Sequence, residues 1–368
     1  MPVIIDGTNG LTFPDTSRQY NGYFGFKNRI INGDMRIDQR NNGASVTIPL
    51  NAITYVLDRW FGYANQASKF SIQRNAGAVT PPSGFTNYLG VTSLAATTPL
   101  STEEFVVSQR IEGFNTADLA WGTASAQTVT LSFFVRSSLT GTFGGSVSNN
   151  AGNRSYVFSY TISAANTWEQ KTLTIPGDTS GTWTTDNTSG VRLVFDMGSG
   201  SNFKGTAGVW GGSNLDGVTG GVNVVGTNGA TFYVTGVQLE EGVVSTNFDV
   251  RPYGTELQLC QRYGLQMAVS GFDNFQYYAI GYLYNTTQGT YTTYLPVPMR
   301  TTPTITQSGT LTAANLGINI SSLAAPSSQI GAILTGDFTL TSTTTSGNAA
   351  FIRFANVSTK SLFLSAEL

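Results

Sequence analysis

Residues 235–264 read TGVQLEEGVVSTNFDVRPYGTELQLCQRYG, and this stretch separates a long β region from a shorter one. It opens inside a strand. Phe232 and Val234 share one face, but beyond Gly236 the apolar residues are Val237 and Leu239, so the phase slips by one position. A bulge or kink at Gly236 produces such a slip. Glu240 then shares the outward face of Gln238, and Gly242 is expected to end the strand before Glu241 turns inward. Arg251-Pro252 makes a crossing of fixed geometry. Thr255 followed by Gln258 fits a capping box for a short helix that Gly264 stops. Its narrow apolar stripe, Leu257 and Cys260, suits a seam between chains or a hinge packed on a neighbouring sheet, with Cys260 as a small buried hydrophobe.

Upstream, apolar residues recur with period two, the spacing of a strand with one buried face. Val129, Leu131, Phe133 and Val135 alternate with more polar neighbours, as do Tyr156, Phe158, Tyr160 and Ile162, then Leu173 and Ile175, then Val191, Leu193, Phe195 and Met197. Turn signals punctuate them at Asn41-Asn42-Gly43, Gly144-Gly145, Pro176-Gly177-Asp178 and Ser189-Gly190. Many antiparallel strands without helical periodicity predict two packed sheets, and a jelly roll suits the size, with a closed barrel as the alternative. The glycine-rich segment 198–229, with Trp210 in its middle, is expected to be a long functional or contact loop rather than core.

The predicted class is all-β: an antiparallel jelly-roll β-sandwich, a short linking helix, a smaller C-terminal β domain and an extended N-terminal arm. The arm covers residues 1–27, the jelly roll 28–253, the helix 254–264 and the second β domain 265–368. Within the last, residues 277–284, 290–295, 303–307, 337–341 and 350–354 are strand candidates. The hydroxyl-rich runs 304–312 and 341–346 suit loops and edge strands.

Composition removes several functions. Charged residues are 11 % of the 368, against roughly 25 % in an average soluble protein. A net charge of −2 without a basic run offers little attraction for a polyanion, so no nucleic-acid partner is expected. One cysteine excludes an intrachain disulfide. The absence of histidine removes the usual zinc sites and the Ser-His and Cys-His nucleophile systems, leaving carboxylate chemistry. Asp6 and Gly7 interrupt any signal-type apolar region, and no window of about 18 apolar residues exists, so neither a signal peptide nor membrane insertion is expected. A neutral, hydroxyl-rich β surface is nonetheless of extracellular type. A virus assembled in a host cytoplasm and released by lysis reconciles the two.

Three stretches carry a family resemblance: NRIINGDMRIDQR (28–40) with LDRWF (57–61), ATFYVTGVQLEEG (230–242) with NFDVRPYGTELQLCQRYG (247–264), and LPVPMRTTPTI (295–305). The chain resembles bacteriophage tail fibre and tail collar proteins that carry a carbohydrate-binding-like jelly roll, and the opening GTNGLTFPD (7–15) is similar to phage fibre arms. The resemblance covers most of residues 1–305. It implies a place on the virion, attachment to other virion proteins through the N-terminal arm, a homotrimer, and adhesion to host-surface polysaccharide. It implies no catalytic residues.

Candidate sites follow from residue chemistry. Trp121, Trp183 and Trp210 lie beside Gly, Thr or Asn, where an indole can serve as a sugar platform or as a contact between subunits; Trp210 is the preferred glycan-binding residue. Asp58, Arg59 and Trp60 form a possible ligand trio, or else Asp58 and Arg59 pair at a strand end while Trp60 fills the core. Adjacent strand residues point to opposite faces, so neither Glu240-Glu241 nor Glu103-Glu104 can flank one scissile bond. A pair of distant carboxylates, such as Asp196 with Glu240, is not legible in the sequence. Asp178, Asp186, Asn187 and Asp216 lie in turn-rich loops, where a structural Ca2+ is conceivable but where such residues commonly bond their own backbone. No other cofactor is expected. The expected function is non-enzymatic adhesion, the alternatives being a polysaccharide-degrading tailspike or a purely architectural fibre or head decoration.

Overall fold

The computed structural model describes residues 26–268, 277–324, 326–354 and 361–368, and in backbone only the short strands Ile4–Asp6, Gly10–Thr12 and Arg18–Gln19. Those three pair antiparallel as a small sheet of the arm. The aromatic residues Tyr20, Tyr23 and Phe24 of that arm lie outside the described residues.

Two antiparallel sheets face each other. One has six strands in the order Glu169–Ile175, Val129–Ser137, Thr231–Glu241, Leu89–Ser93, Phe70–Arg74, Val46–Thr47. The other has seven: Trp210–Gly211, Ser155–Ile162, Gly141–Asn149, Ser189–Asp196, Phe105–Glu112, Trp60–Ala64, Thr54–Leu57. The alternating residues expected from the sequence fill the space between them, and the jelly-roll sandwich is the fold. Phe195 sits at its centre, with its ring 5.2 Å from Phe133, 5.9 Å from Phe232 and 6.4 Å from Trp60. Each such fully buried ring contributes about 1.5–3 kcal/mol.

The slip at Gly236 is a bulge. Ser132 pairs with Gln238 but Phe134 with Thr235, so Gly236 and Val237 together oppose Phe133. Gly236 has φ 61°, and a Cβ there would lie 2.6 Å from the Phe85 ring. Both facts require glycine. Two expected turns are instead inside strands. Gly144-Gly145 falls within Gly141–Asn149, where Cβ atoms would meet the Val218 backbone at 2.5 Å and the Phe158 ring at 2.3 Å. Ser189-Gly190 opens the strand Ser189–Asp196 at an irregularity of register. In both places glycine serves close packing rather than a reversal.

The segment 198–229 is less loop-like than expected. Lys204–Gly205 pairs in parallel with Gly217–Val218, and Trp210–Gly211 adds to the edge of the seven-stranded sheet.

The helix runs Tyr253–Gln261, so it starts ahead of Thr255. Pro252 occupies the cap position without a side-chain cap bond, and the capping box does not form. Pro252 has φ −54° and ψ 142°, and its carbonyl accepts from the Glu256 amide (3.0 Å), so the first helical bond closes ahead of Thr255. Gly264 does not stop the helix but begins the strand Gly264–Ala268, where a Cβ would lie 2.8 Å from both Arg40 and the Phe363 ring. Cys260 is fully buried with Ile31, Ile37 and Tyr263, and burial pushes its thiol well up.

The first two of the stretches that carry the family resemblance converge in one buried polar knot beside this helix. The Asn28 side chain donates to the Val237 carbonyl (2.9 Å) and accepts from the Ile30 and Leu239 amides (2.9 and 3.0 Å). Arg251 donates to the Ile30 carbonyl (3.2 Å) and to both Glu256 carboxylate oxygens (3.3 Å), and Glu256 accepts from the Asn32 amide. Each group closes a backbone position that the sheets leave unpaired, as buried polar atoms require.

Beyond the helix, Gly264–Ala268, Ser361–Ser365 and Thr304–Ser308 form a three-stranded sheet with Ser361–Ser365 in the middle. The strands Gln288–Tyr294, Tyr277–Leu283, Ala349–Phe354, Leu311–Ala313, Ile318–Leu323 and Ile333–Leu340 follow in order, and Gln288–Tyr294 also pairs with Ile333–Leu340. That last pairing closes a small barrel around Leu283, Tyr291, Phe338 and Ile352. Closure, expected as the alternative for the first unit, belongs to the second.

Side chains tie the two units together. Arg262 forks onto Glu112 (2.8 and 2.5 Å), Arg300 donates to the carbonyls of Asn187, Ala366 and Glu367, and Arg40 and Arg59 both reach Glu367.

Candidate functional site

The register of the seven-stranded sheet places Ser148 opposite Arg192 and Arg192 opposite Arg110 on its outer face. Around this row lies a polar cavity of about 290 Å³, lined also by Ser189, Asn214 and the turn Asn149 to Gly152. None of the described residues lining it is a carboxylate.

Behind the cavity wall the guanidinium of Arg192 is fixed. It donates to Glu104 (2.7 Å) and Ser108 (3.3 Å) and lies 3.3 Å from Asp216. Burial disfavours its charge, but Asp216 and Glu104 outweigh that and hold it protonated. Burial also pushes the Asp216 carboxyl well up, with Arg192 opposing. Arg110 donates to the backbone oxygen of Leu368 (2.7 Å) and lies 5.5 Å from the Phe61 ring. Burial pushes Arg110 down, with the charges of Arg192 and Arg59 adding to it and Tyr55 opposing. The cavity therefore offers the Arg110 guanidinium, amides and hydroxyls, which suit ligand hydroxyls or carboxylates.

Trp121, Trp183 and Trp210, far apart in sequence, form one cluster. Their rings are 4.7, 5.4 and 5.5 Å apart and meet edge to face at 76–82°. Tyr156 completes it, 5.4 Å from Trp210. Each indole N–H donates to a backbone carbonyl: Trp121 to Gln127 (2.7 Å), Trp183 to Ser180 (3.2 Å), Trp210 to Pro176 (2.8 Å). Trp121 is buried, whereas Trp183 and Trp210 are half-buried. The cluster and the cavity share their supports. Asn149 donates to the Thr182 carbonyl (3.0 Å), next to Trp183, and Asn214 follows Trp210 along the same segment.

The trio at 58–60 is dispersed. Trp60 is buried in the core and donates to the Asn32 carbonyl (3.0 Å). Asp58 does not pair with Arg59; it accepts from the Gln39 amide (2.7 Å) and side chain (2.6 Å). Arg59 has φ 72°, which turns it away toward Glu367 and onto the Tyr263 ring at 3.6 Å.

The other carboxylates have structural partners. Glu240 accepts from Gln238 and Thr246, whereas Glu241 lies 3.9 Å from Arg29. Asp196 holds Lys204 (2.7 Å) and the amides of Gly198 and Ser199. Of the calcium candidates, Asp178 forks onto Arg154 (2.7 Å twice), Asp186 bonds Thr188, Asn187 bonds the Arg300 carbonyl and Asp216 faces Arg192. They do not converge. Among the described residues no group of three or more metal-ligating side chains is placed to hold an ion, and no helix is long and apolar enough to cross a membrane.

Sequence reasoning missed the cavity. Arg110 and Arg192 stand on the outward phase of strands whose other phase is apolar, a signal present in VVSQRIE and SGVRLVFD, but their meeting depends on register.

No protein-family model matches this chain, and no curated protein matches it. Solved structures do. A putative sugar-binding protein from Bacteroides thetaiotaomicron is 12% identical over 59% of this chain and 100% of its own, with TM-score 0.34. The enzymatically active domain of tailspike protein 4 from bacteriophage CBA120 is 11% identical over 58% of this chain and 21% of its own, with TM-score 0.32. A family 11 carbohydrate-binding module from Clostridium thermocellum, solved with a mixed-linked tetrasaccharide, is 17% identical over 55% of this chain and 98% of its own, with TM-score 0.27. Overlap at this level says nothing about ligand or activity.

Proposed function

We propose that this chain is a phage virion structural protein of tail fibre type, which adheres to host-surface glycan without cleaving it. The polar cavity on the outer face of the seven-stranded sheet carries the proposal. Arg110, Asn150, Ser189 and Asn214 present donors and acceptors around a space of about 290 Å³. Such groups bond saccharide hydroxyls, and the half-buried edges of Trp183 and Trp210 add apolar surface beside the same loops.

In this reading the N-terminal arm docks the chain to other virion proteins, and the chain assembles as a homotrimer on the particle surface. Weak single sites then gain strength by linkage, because several copies engage one host surface at once.

The test is affinity electrophoresis of the full chain through gels containing purified lipopolysaccharide or capsule from candidate hosts. Retardation that Arg110→Ala and Asn214→Ala abolish supports the reading. Release of oligosaccharides on incubation would replace it with a polysaccharide-degrading tailspike. Absence of retardation, with normal adsorption of particles lacking the protein, would replace it with an architectural role.

A further inference from the structure

The outer wall of the C-terminal barrel exposes an apolar and aromatic surface that none of the described residues covers. Tyr277, Ile280 and Tyr282 point outward from one strand, Ile280 pairs with Phe351 on the next, and the Tyr277 and Phe351 rings are 5.8 Å apart. On the other side Ile280 pairs with Thr292. Continuing that register brings Tyr294 alongside the Tyr277 end. Tyr294 pairs with Ile333, which pairs with Ile330. These seven side chains are 39–78% exposed.

We infer that this wall is where copies of the chain associate. A fully exposed side chain of this size offers about 150–250 Å². At their exposures the seven together present on the order of 700 Å², close to the roughly 800 Å² that each partner contributes to a stable interface. The composition favours protein over sugar. Tyrosine and phenylalanine are enriched in interface cores and charged residues depleted. The intervening outward positions are Thr290, Thr292 and Thr335, and three isoleucines give a saccharide neither a hydrogen bond nor a ring face. Asp337, opposite Thr290, and Arg353, opposite Tyr277, stand at the margins as a polar rim.

The inference deepens the self-assembly part of the proposed function and names its surface, but its test does not depend on glycan binding. Light scattering on a sizing column is run with the full wild-type chain and with Ile280→Lys and Tyr294→Lys, at about 10 μM because association is concentration-dependent. The expected wild-type mass is at least twice the 39.1 kDa of one chain, falling to one chain in both variants. Thermal melting should leave the variants folded, since both positions are exposed. A wild-type monomer, or variants that keep the wild-type mass, overturns the inference. Retention of a monomeric wild type on purified lipopolysaccharide that the same substitutions abolish also overturns it, making the wall a saccharide surface. Loss of adhesion in Arg110→Ala with unchanged mass bears on the cavity alone.

Discussion

Arg59 and Glu367, 308 residues apart, form an ion pair between the jelly roll and the segment that follows the last strand. Arg59 is 1% exposed, Glu367 also holds Arg40 at 2.8 Å, and the Tyr263 ring covers the guanidinium. Removing one partner strands a buried charge. Glu367→Gln is therefore expected to lower unfolding stability by about 3–5 kcal/mol in urea titration, more than an exposed pair costs. A loss below about 1 kcal/mol would mean that water reaches Arg59.

Asp58 lies next to that pair, and burial pushes its carboxyl from 3.8 to about 6, with Arg40 and the Gln39 bonds opposing. Because the folded value lies above the unfolded one, the favourable contribution is complete below pH 3.8 and is lost as pH rises through about 6. The wild-type stability minus that of Asp58→Asn should fall by on the order of 3 kcal/mol between those limits. Urea titrations at intervals across the window measure it. A flat difference would place the Asp58 carboxyl near its ordinary value.

At the bulge, Gly236→Val adds a branched side chain at φ 61° against Phe85 and Phe134. Backbone strain and overpacking each cost about 1–3 kcal/mol, so a clear fall in melting temperature is expected. Gly242→Ala also has positive φ but meets no atom within 4 Å, and it should cost less.

Trp210→Ala and Arg110→Ala should separate stability from recognition. The first removes a ring packed on Trp121, Trp183 and Tyr156, so it should lower the melting temperature and weaken glycan retardation together. The second should abolish retardation with a much smaller thermal effect. Equal thermal losses would assign Arg110 to the scaffold.

Strand alternation was legible wherever one face is apolar and the other polar. Val129 to Val135 and Tyr156 to Ile162 declare their inner faces, and even the bulge at Gly236 shows as a phase slip. The strands Leu311–Ala313, Ile318–Leu323 and Ser361–Ser365 did not show. The first is too short to display a period, and apolar and polar residues do not alternate cleanly in the other two. Gly144 and Gly145 misled because glycine at a close approach and glycine at a turn look the same in one dimension. The tryptophans were visible singly, but their clustering required the chain to bring residues 121, 183 and 210 together. The cavity was hidden for the same reason, since strand register alone sets Arg110 beside Arg192.

The ion pair at Glu367 also bears on synthesis. A ribosome releases Arg59 long before it makes Glu367, and the central strand of the three-stranded sheet, Ser361–Ser365, is equally late. The jelly roll can form its sandwich during translation, but the joint to the barrel closes only when these residues emerge. A chain cut short before them would carry a folded first unit, a buried Arg59 without its carboxylate and an open seam. Docking of the two units thus waits on Glu367 and Ser361–Ser365, and the stability that the joint provides is gained only once those residues have been made.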